Sequence, residues 1–251
     1  MRTPIIAGNW KMNKLTADAV ALAEGLNAQL GEFSGVEVVV SPVATVLSAV
    51  ASSLEDSAIK VSGQNCYHAE SGAYTGELSP QMLKDAGATW IIIGHSERRQ
   101  IFGENDSLLN EKLKFALASG LKVMFCIGET LEEREGGTMD TVLTRQLVDG
   151  LAGLSDADFK NVVVAYEPVW AIGTGVVATP QQAEDAHAFS RNVVKENFNA
   201  TIADGLRIQY GGSVKADNAA ELLGQANVDG ALVGGAALDA EGFAAIVRAA
   251  L

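Results

Sequence analysis

Residues 162–166 read Val-Val-Val-Ala-Tyr, and Glu167 and Pro168 follow at once. The run is apolar without alternation, which is typical of a strand covered on both faces in a parallel sheet. Two similar runs stand at 38–40 (Val-Val-Val) and 91–93 (Ile-Ile-Ile). The pattern therefore predicts a parallel sheet with both faces covered.

Eight short apolar runs recur along the chain, and helical patterns separate them. Residues 16–30, for example, place leucine and alanine on one side of a helix. Thr179, followed by Pro180 and by Gln182 at the third position, is typical of a helix start with a capping box. Ser79-Pro80 marks another start, and further helices are predicted over 108–118 and 241–250. The runs predict strands at 5–9, 36–41, 59–64, 90–94, 122–127, 162–166, 207–210 and 230–233.

Eight alternations of strand and helix in 251 residues predict an α/β fold of the (β/α)8 class, with eight parallel strands surrounded by helices. We expect residues 1–251 to form a single domain, because no linker or shift in composition divides them. A doubly wound open sheet is the alternative. No Gly-x-Gly-x-x-Gly follows the first strand, which removes the usual dinucleotide-binding form of that alternative.

Composition and charge argue against several classes of protein. The net charge of −13 opposes nucleic-acid binding, which depends on clustered Lys and Arg. No apolar run approaches the roughly 20 residues of a membrane span, and the N-terminus turns polar too early for a signal peptide. We therefore expect a cytoplasmic location and no membrane partner. Cys66 and Cys126 lack the spacing of a structural zinc site or a disulfide framework.

Polar residues that carry chemistry follow several predicted strands, and a parallel barrel collects such residues at one end. Asn9 and Lys11 follow the first strand, His95 and Glu97 the fourth, and Glu167 the sixth. Burial beside a strand end would raise the pKa of Glu167 and strengthen it as a base. His95 opens a predicted helix, whose positive end favours a neutral ring. Taken singly, these residues also fit a solvated glutamate, a structural histidine and a surface lysine.

Glycine-rich segments follow the last two strands, where barrels often bind phosphate. Gly211-Gly212-Ser213 offers backbone N–H groups and a hydroxyl, and Gly234-Gly235 precedes a short predicted helix over 236–238. Tight turns alone are the plainer interpretation of these glycines. Residues 168–175 are apolar but broken by Pro and Gly, and they predict either a lid that excludes water or an ordinary packed loop.

These motifs closely resemble those of the triosephosphate isomerase family, and the likeness covers the whole chain. The matching segments are residues 7–13, 94–99, 165–175, 210–214 and 232–236. The resemblance implies a TIM barrel that interconverts dihydroxyacetone phosphate and D-glyceraldehyde 3-phosphate in glycolysis and gluconeogenesis, with no cofactor and no metal.

The resemblance also implies a role for each site residue. Glu167 would move a proton between neighbouring carbons, and a neutral His95 would polarise the substrate carbonyl. Lys11 and Asn9 would bind substrate. The residues that would hold the phosphate are Gly173, Ser213, Gly234 and Gly235, with the Gly173 segment closing as the lid.

The stretch from Asn65 to Leu78 has no periodicity and is long for a structureless loop. By itself it predicts either a surface loop or an arm that packs against a second copy of the chain. The resemblance implies a homodimer in which this arm enters the partner, so that Thr75 reaches the partner's site. Val176-Val177 depart from the family's usual Lys-Thr and are expected to stiffen the end of the lid.

Two other functions are compatible with the predicted fold. One is a different phosphate-binding barrel enzyme, such as a sugar-phosphate epimerase, which would not be expected to combine Lys11, His95 and Glu167 in these motifs. The other is a non-catalytic sugar-phosphate sensor on the same fold, since fold does not fix function.

Overall fold

The computed structural model describes residues 2–173 and 176–251, and its strands close into a barrel in chain order. All the strand pairs are parallel, and β1 meets β8 with Ile5 opposite Gly230. This confirms the predicted (β/α)8 barrel and excludes the open sheet. The strands are β1 (Ile5–Asn9), β2 (Glu37–Ser41), β3 (Lys60–Gly63), β4 (Trp90–Ile93), β5 (Lys122–Ile127), β6 (Val162–Tyr166), β7 (Arg207–Tyr210) and β8 (Gly230–Val233).

Strands β2, β3 and β4 are shorter than predicted, and the other five have the predicted bounds. The fourth run ends at Ile93 because Gly94 takes a φ of 78°, a left-handed conformation that no strand continues. The third run ends at Gly63. Gln64 instead directs its side-chain amide to the backbone carbonyls of Lys11 and Ser41.

Helices surround the barrel, and most begin at side-chain caps. Thr179 and Gln182 form the predicted capping box, and Ser79 caps the helix that begins at Pro80. The helices are α1 (Thr16–Leu30), α2 (Ala44–Ser53), α3 (Pro80–Asp85), α4 (Ser96–Gln100), α5 (Asp106–Ala118), α6 (Leu131–Glu135), α7 (Met139–Gly150), α8 (Pro180–Asn197), α9 (Ala200–Gly205), α10 (Ala219–Leu223) and α11 (Ala240–Arg248). Short 3-10 helices cover Asp158–Asn161, Val169–Ala171 and Gly235–Leu238.

Two apolar layers bury the strands. Alternate strand residues fill the barrel interior, and the residues between them pack against the helices. Each strand is therefore covered on both faces, which explains the unbroken apolar runs. The interior layer is Ile5, Ala7, Val39, Trp90, Ile92, Met124, Cys126, Val163, Ala165 and Leu232.

Among the described residues, no helix has the length and apolar character that crossing a membrane requires. The stretch from Asn65 to Leu78 contains no helix or strand, as expected. Its two ends are tied together, because the Tyr67 N–H donates to the Leu78 carbonyl at 2.8 Å. The centroids of the Tyr67 and Tyr74 rings lie 4.4 Å apart. Thr75 and Gly76 form an exposed tip.

Barrel closure depends on Gly230, whose φ is 143° and on which a Cβ would overlap the carbonyl oxygen of Ile5 in β1. Gly230→Ala should lower the free energy of unfolding by at least about 3 kcal/mol, through overlap and backbone strain. Gly205→Ala is the matched control, because a Cβ there meets nothing within 4 Å. Urea unfolding at one protein concentration measures both. Equal midpoints for the two variants would contradict this account of closure.

His187 of α8 is fully buried, with Nδ1 3.2 Å from the Asn227 carbonyl, and burial lowers its pKa to about 3. Between about pH 6.5 and 3 the unfolded chain protonates this histidine and the folded chain does not. Stability should therefore fall with falling pH by up to about 1.4 kcal/mol per unit from this group. His187→Gln should reduce that slope in urea unfolding. Equal slopes would show that His187 does not cause it.

Candidate active site

A cavity of about 490 Å³ opens at the carboxyl ends of the strands. All the residues predicted for the site line it, although they come from the carboxyl ends of five different strands or the segments that follow them. They are Asn9, Lys11, His95, Glu167, Gly173, Ser213, Gly234 and Gly235. The structure thus brings the predicted residues to one place, and their individual roles stay predictions.

Glu167 lies at the inner wall of this cavity and is almost completely buried. Its Oε2 accepts a hydrogen bond from the Ser96 backbone N–H at 2.8 Å. Its Oε1 lies 2.9 Å from His95 Nε2 and 3.4 Å from the Ser96 hydroxyl, which donates to it. These contacts join the segment after β6 to the start of α4, so the carboxylate is held at two points.

The pKa expected for Glu167 is wrong for this arrangement. Burial does raise the pKa of the carboxyl, as predicted, but three polar neighbours reverse the outcome. The charge and hydrogen bond of His95, the Ser96 N–H and the ammonium of Lys11 together lower it below its ordinary value. Glu167 is therefore ionised in this position, and its hydrogen bonds make it a weaker base than a buried carboxylate without them.

His95 caps α4, as its predicted position at a helix start required. Its Nδ1 accepts the Glu97 N–H at 3.2 Å, so the proton of a neutral ring sits on Nε2 and points at Glu167. The prediction that this ring is neutral, however, is wrong for this arrangement, because the pKa of His95 is raised. Burial lowers the pKa of His95, but the adjacent Glu167 raises it by more. We therefore expect a neutral ring only when the Glu167 carboxylate has moved away from His95 Nε2.

Lys11 has a φ of 51°, which is uncommon and costly for a residue with a side chain. Hydrogen bonds on both sides hold this conformation: its N–H donates to Asn9 Oδ1, and its carbonyl accepts from Gln64. Its ammonium donates to Glu97 Oε1 at 2.7 Å. The strained backbone directs a positive charge into the cavity, and Glu97 orients it.

The rim of the cavity carries the glycine segments. The short 3-10 helix over Gly235–Leu238 begins there, and its first N–H groups have no partner within the helix. Ser213 is engaged elsewhere, because its N–H and hydroxyl both donate to the Ala171 carbonyl, at 3.2 and 2.9 Å. Ser213 must therefore release Ala171 before it can hold a phosphate.

The predicted lid is anchored at its first residues. Trp170 Nε1 and the Tyr166 hydroxyl both donate to Oε1 of the buried Glu129, at 2.9 and 3.0 Å. The Arg134 guanidinium lies 4.6 Å from the Trp170 ring centroid and also bonds to Glu129. Thr174 and Gly175, the last residues of the predicted lid, lie outside the described residues. Val176-Val177 beyond them are about half exposed, and the stiffening expected there stays a prediction.

Sequence reasoning missed two residues of the site. The shorter contact of Ser96 with Glu167 comes from its backbone N–H, which any residue at that position would offer, and its longer hydroxyl contact joins segments too far apart in sequence to give a signal. Lys215 also lines the cavity. A lysine two residues after a predicted phosphate-binding serine was the available signal for it. Within 2–173 and 176–251, no group of three or more His, Cys, Asp or Glu side chains could hold a metal ion.

Comparison with known proteins agrees with this geometry. The family model described as triosephosphate isomerase matches residues 4–250. A triosephosphate isomerase of Geobacter metallireducens is 54% identical over 248 residues, covering 99% of both chains. That of Chloroherpeton thalassium is 50% identical over 251 residues, covering 100% of both. That of Syntrophotalea carbinolica is 52% identical over 248 residues, covering 99% of this chain and 98% of its own. The chain belongs to the triosephosphate isomerase family.

Proposed function

We propose that this protein is an aldose–ketose isomerase that interconverts dihydroxyacetone phosphate and D-glyceraldehyde 3-phosphate, as in glycolysis and gluconeogenesis. One observation carries the proposal: a carboxylate, an imidazole and an ammonium group from three distant segments line one cavity. Moving a proton between adjacent carbons through an enediolate needs these three groups, namely a base, a donor at oxygen and a cation near the developing charge.

In the proposed reaction, Glu167 takes a proton from the carbon beside the substrate carbonyl and returns it to the neighbouring carbon. To reach a carbon atom, the carboxylate must leave the Ser96 N–H and the His95 ring. Those contacts lower its pKa, so without them burial dominates and the pKa rises. The movement that brings the base to the substrate therefore also strengthens it.

The departure of Glu167 prepares His95 as well. Without the carboxylate beside it, burial favours the neutral ring, and the Glu97 N–H at Nδ1 keeps the proton on Nε2. That N–H is then free to donate to a substrate oxygen and to stabilise the enediolate. Lys11, oriented by Glu97, supplies positive charge to the same oxygens and, with Asn9, binds the substrate.

The phosphate group of the substrate would lie at the glycine rim. Gly234 and Gly235 offer backbone N–H groups there, Ser213 would add its N–H and hydroxyl once they leave the Ala171 carbonyl, and Gly173 would add its N–H when the lid closes. A closed lid would also exclude water, which limits loss of phosphate from the enediolate. The reaction uses no cofactor and no metal, and we infer that it takes place in the cytoplasm.

Replacing the proposed base tests the reaction directly. Glu167→Asp withdraws the carboxylate by one methylene and should lower kcat about 100-fold or more, with folding unchanged. A coupled assay with D-glyceraldehyde 3-phosphate measures this, with and without a chelator. Glu24→Asp, on the exposed side of α1, is the matched control and should keep the full rate.

Three results would count against the proposal. Unchanged turnover in Glu167→Asp would remove Glu167 from the mechanism. Loss of activity with the chelator would point to a metal-dependent isomerase and contradict the metal-free reaction. Binding of triose phosphate without turnover by the unaltered protein would indicate a sensor.

We further propose that the protein is a homodimer formed through the arm from Asn65 to Leu78. Apolar side chains in the segments after β1 and β4 support an interface, since large exposed apolar patches mark such surfaces. They are 62–91% exposed and comprise Met12, Leu15, Ile101 and Phe102. The tied ends of the arm present Thr75 as a firm, exposed tip that would enter the partner near its cavity.

Sedimentation velocity should give twice the chain mass of 26.2 kDa. Thr75→Lys, which places a charge at the arm tip, should weaken association and lower activity at low protein concentration. Thr201→Lys is the control, because α9 lies at the opposite end of the barrel, just before β7 begins. A fully active monomer would overturn the proposed interface.

A further inference from the structure

A single buried side chain holds the backbone at the end of β5. Gln146 of α7 is 5% exposed. Its Oε1 accepts the Gly128 N–H at 2.7 Å, and its Nε2 donates to the Gly128 carbonyl at 3.1 Å. Gly128 is the first residue after β5, and one amide side chain satisfies both of its backbone polar groups. Gln146 thus makes the two hydrogen bonds to Gly128 that a neighbouring strand would otherwise make.

This replacement is needed because β4 has already ended. The last residue of β4, Ile93, pairs with Phe125, which leaves the following residues of β5 without a strand on that side. Side chains from α4 and α7 supply the missing hydrogen bonds to the backbone of β5 and of the residue after it. Arg99 Nη2 donates to the Cys126 carbonyl at 3.0 Å, and Gln146 bonds to Gly128. The end of β5 is therefore held by side chains.

Gly128 packs directly against the backbone of Glu167. A Cβ added to Gly128 would overlap the Glu167 carbonyl oxygen and lie 2.7 Å from the Glu167 carbonyl carbon. On the same side, the Glu167 N–H donates to the Ile127 carbonyl at 2.7 Å, and the Val169 N–H donates to the Glu129 carbonyl at 3.1 Å. Residues 127–129 therefore determine where the backbone of Glu167 lies.

A second cavity, of about 210 Å³, lies behind this contact. Gly128, Gln146 and Glu167 all line it, together with Ser96, whose N–H binds the carboxylate. Space on that side means that packing alone does not hold Gly128 in place. Without the Gln146 amide, the two orphaned backbone groups could shift toward the cavity and carry Glu167 with them.

We propose that Gln146 is a positioning residue for the isomerisation: by holding Gly128, it fixes the backbone of Glu167 at the place from which proton transfer occurs. This inference rests on the proposed function and deepens it. Gln146 is not among the described residues that line the cavity at the carboxyl ends of the strands, and both hydrogen bonds of its side chain are to Gly128. A base displaced by a fraction of an ångström loses much of its rate advantage, whereas phosphate binding at the β7 and β8 segments is unaffected.

The test separates positioning from general stability. Gln146→Leu removes both hydrogen bonds at nearly constant size, and kcat should fall about tenfold or more. The Kd of inorganic phosphate should stay within twofold of the unaltered protein. Gln209→Leu is the matched control: Gln209 is fully buried and donates to the Ile5 and Ala231 carbonyls, away from Glu167. It should lower Tm and leave kcat within twofold.

Gln146→Glu provides a second readout, which a merely structural residue would not move. A protonated carboxyl accepts the Gly128 N–H and donates to its carbonyl, as the amide does, whereas an ionised one only accepts. The ratio of its kcat to that of the unaltered protein should therefore rise as pH falls. A ratio constant across pH overturns the proposal even if Gln146→Leu fails to fold.

A kcat within twofold for a folded Gln146→Leu also overturns the proposal. Both outcomes presuppose an active unaltered protein. If the unaltered protein fails to isomerise D-glyceraldehyde 3-phosphate, it is the proposed function that fails.

Discussion

The contact between the Glu167 carboxylate and the start of α4 is the constraint on which the site depends. It joins groups that lie 71 residues apart, and it sets the charge of both the acid and the ring beside it. Burial and hydrogen bonding act in opposite directions on this carboxyl, so its basicity depends on which neighbours it keeps. A site of this kind keeps a buried carboxylate ionised at rest and gains a stronger base when the contact is broken.

The surrounding fold makes that contact possible because the neighbouring strands β4 and β5 end at different levels along the barrel axis. Strand β4 stops at Ile93, and the left-handed Gly94 turns the chain so that His95 caps α4 beside Glu167. Strand β5 continues to Ile127 and supports the Glu167 backbone from the other side. The gap that this difference leaves beside β5 is filled by Arg99 and Gln146. The backbone geometry at this end of the barrel thus depends on helix side chains as well as on the strand ladder.

The features that sequence could predict are those encoded locally. Apolar runs bounded by polar residues located all eight strands, and Thr179 with Gln182 located a helix start, because each signal lies within a few residues. The clustering of Lys11, His95 and Glu167 followed from a rule about strand ends. The pKa of Glu167 did not follow, because His95 and the Ser96 N–H, which lower it, are contributed by a distant segment. The left-handed backbone of Lys11 and the role of Gln146 likewise depend on contacts with residues far along the chain.

Every strand of the barrel lies beside its neighbours in sequence except at one seam, where β1 meets β8. During synthesis, the first strand leaves the ribosome long before its partner β8, because the six other strands and their helices lie between them. A nascent chain that has produced seven strands consequently exposes an unpaired strand at each edge, a surface prone to pairing with other chains. The ring can close only after β8 has emerged, so the closing step that gives the mature barrel its stability also delays its protection from aggregation.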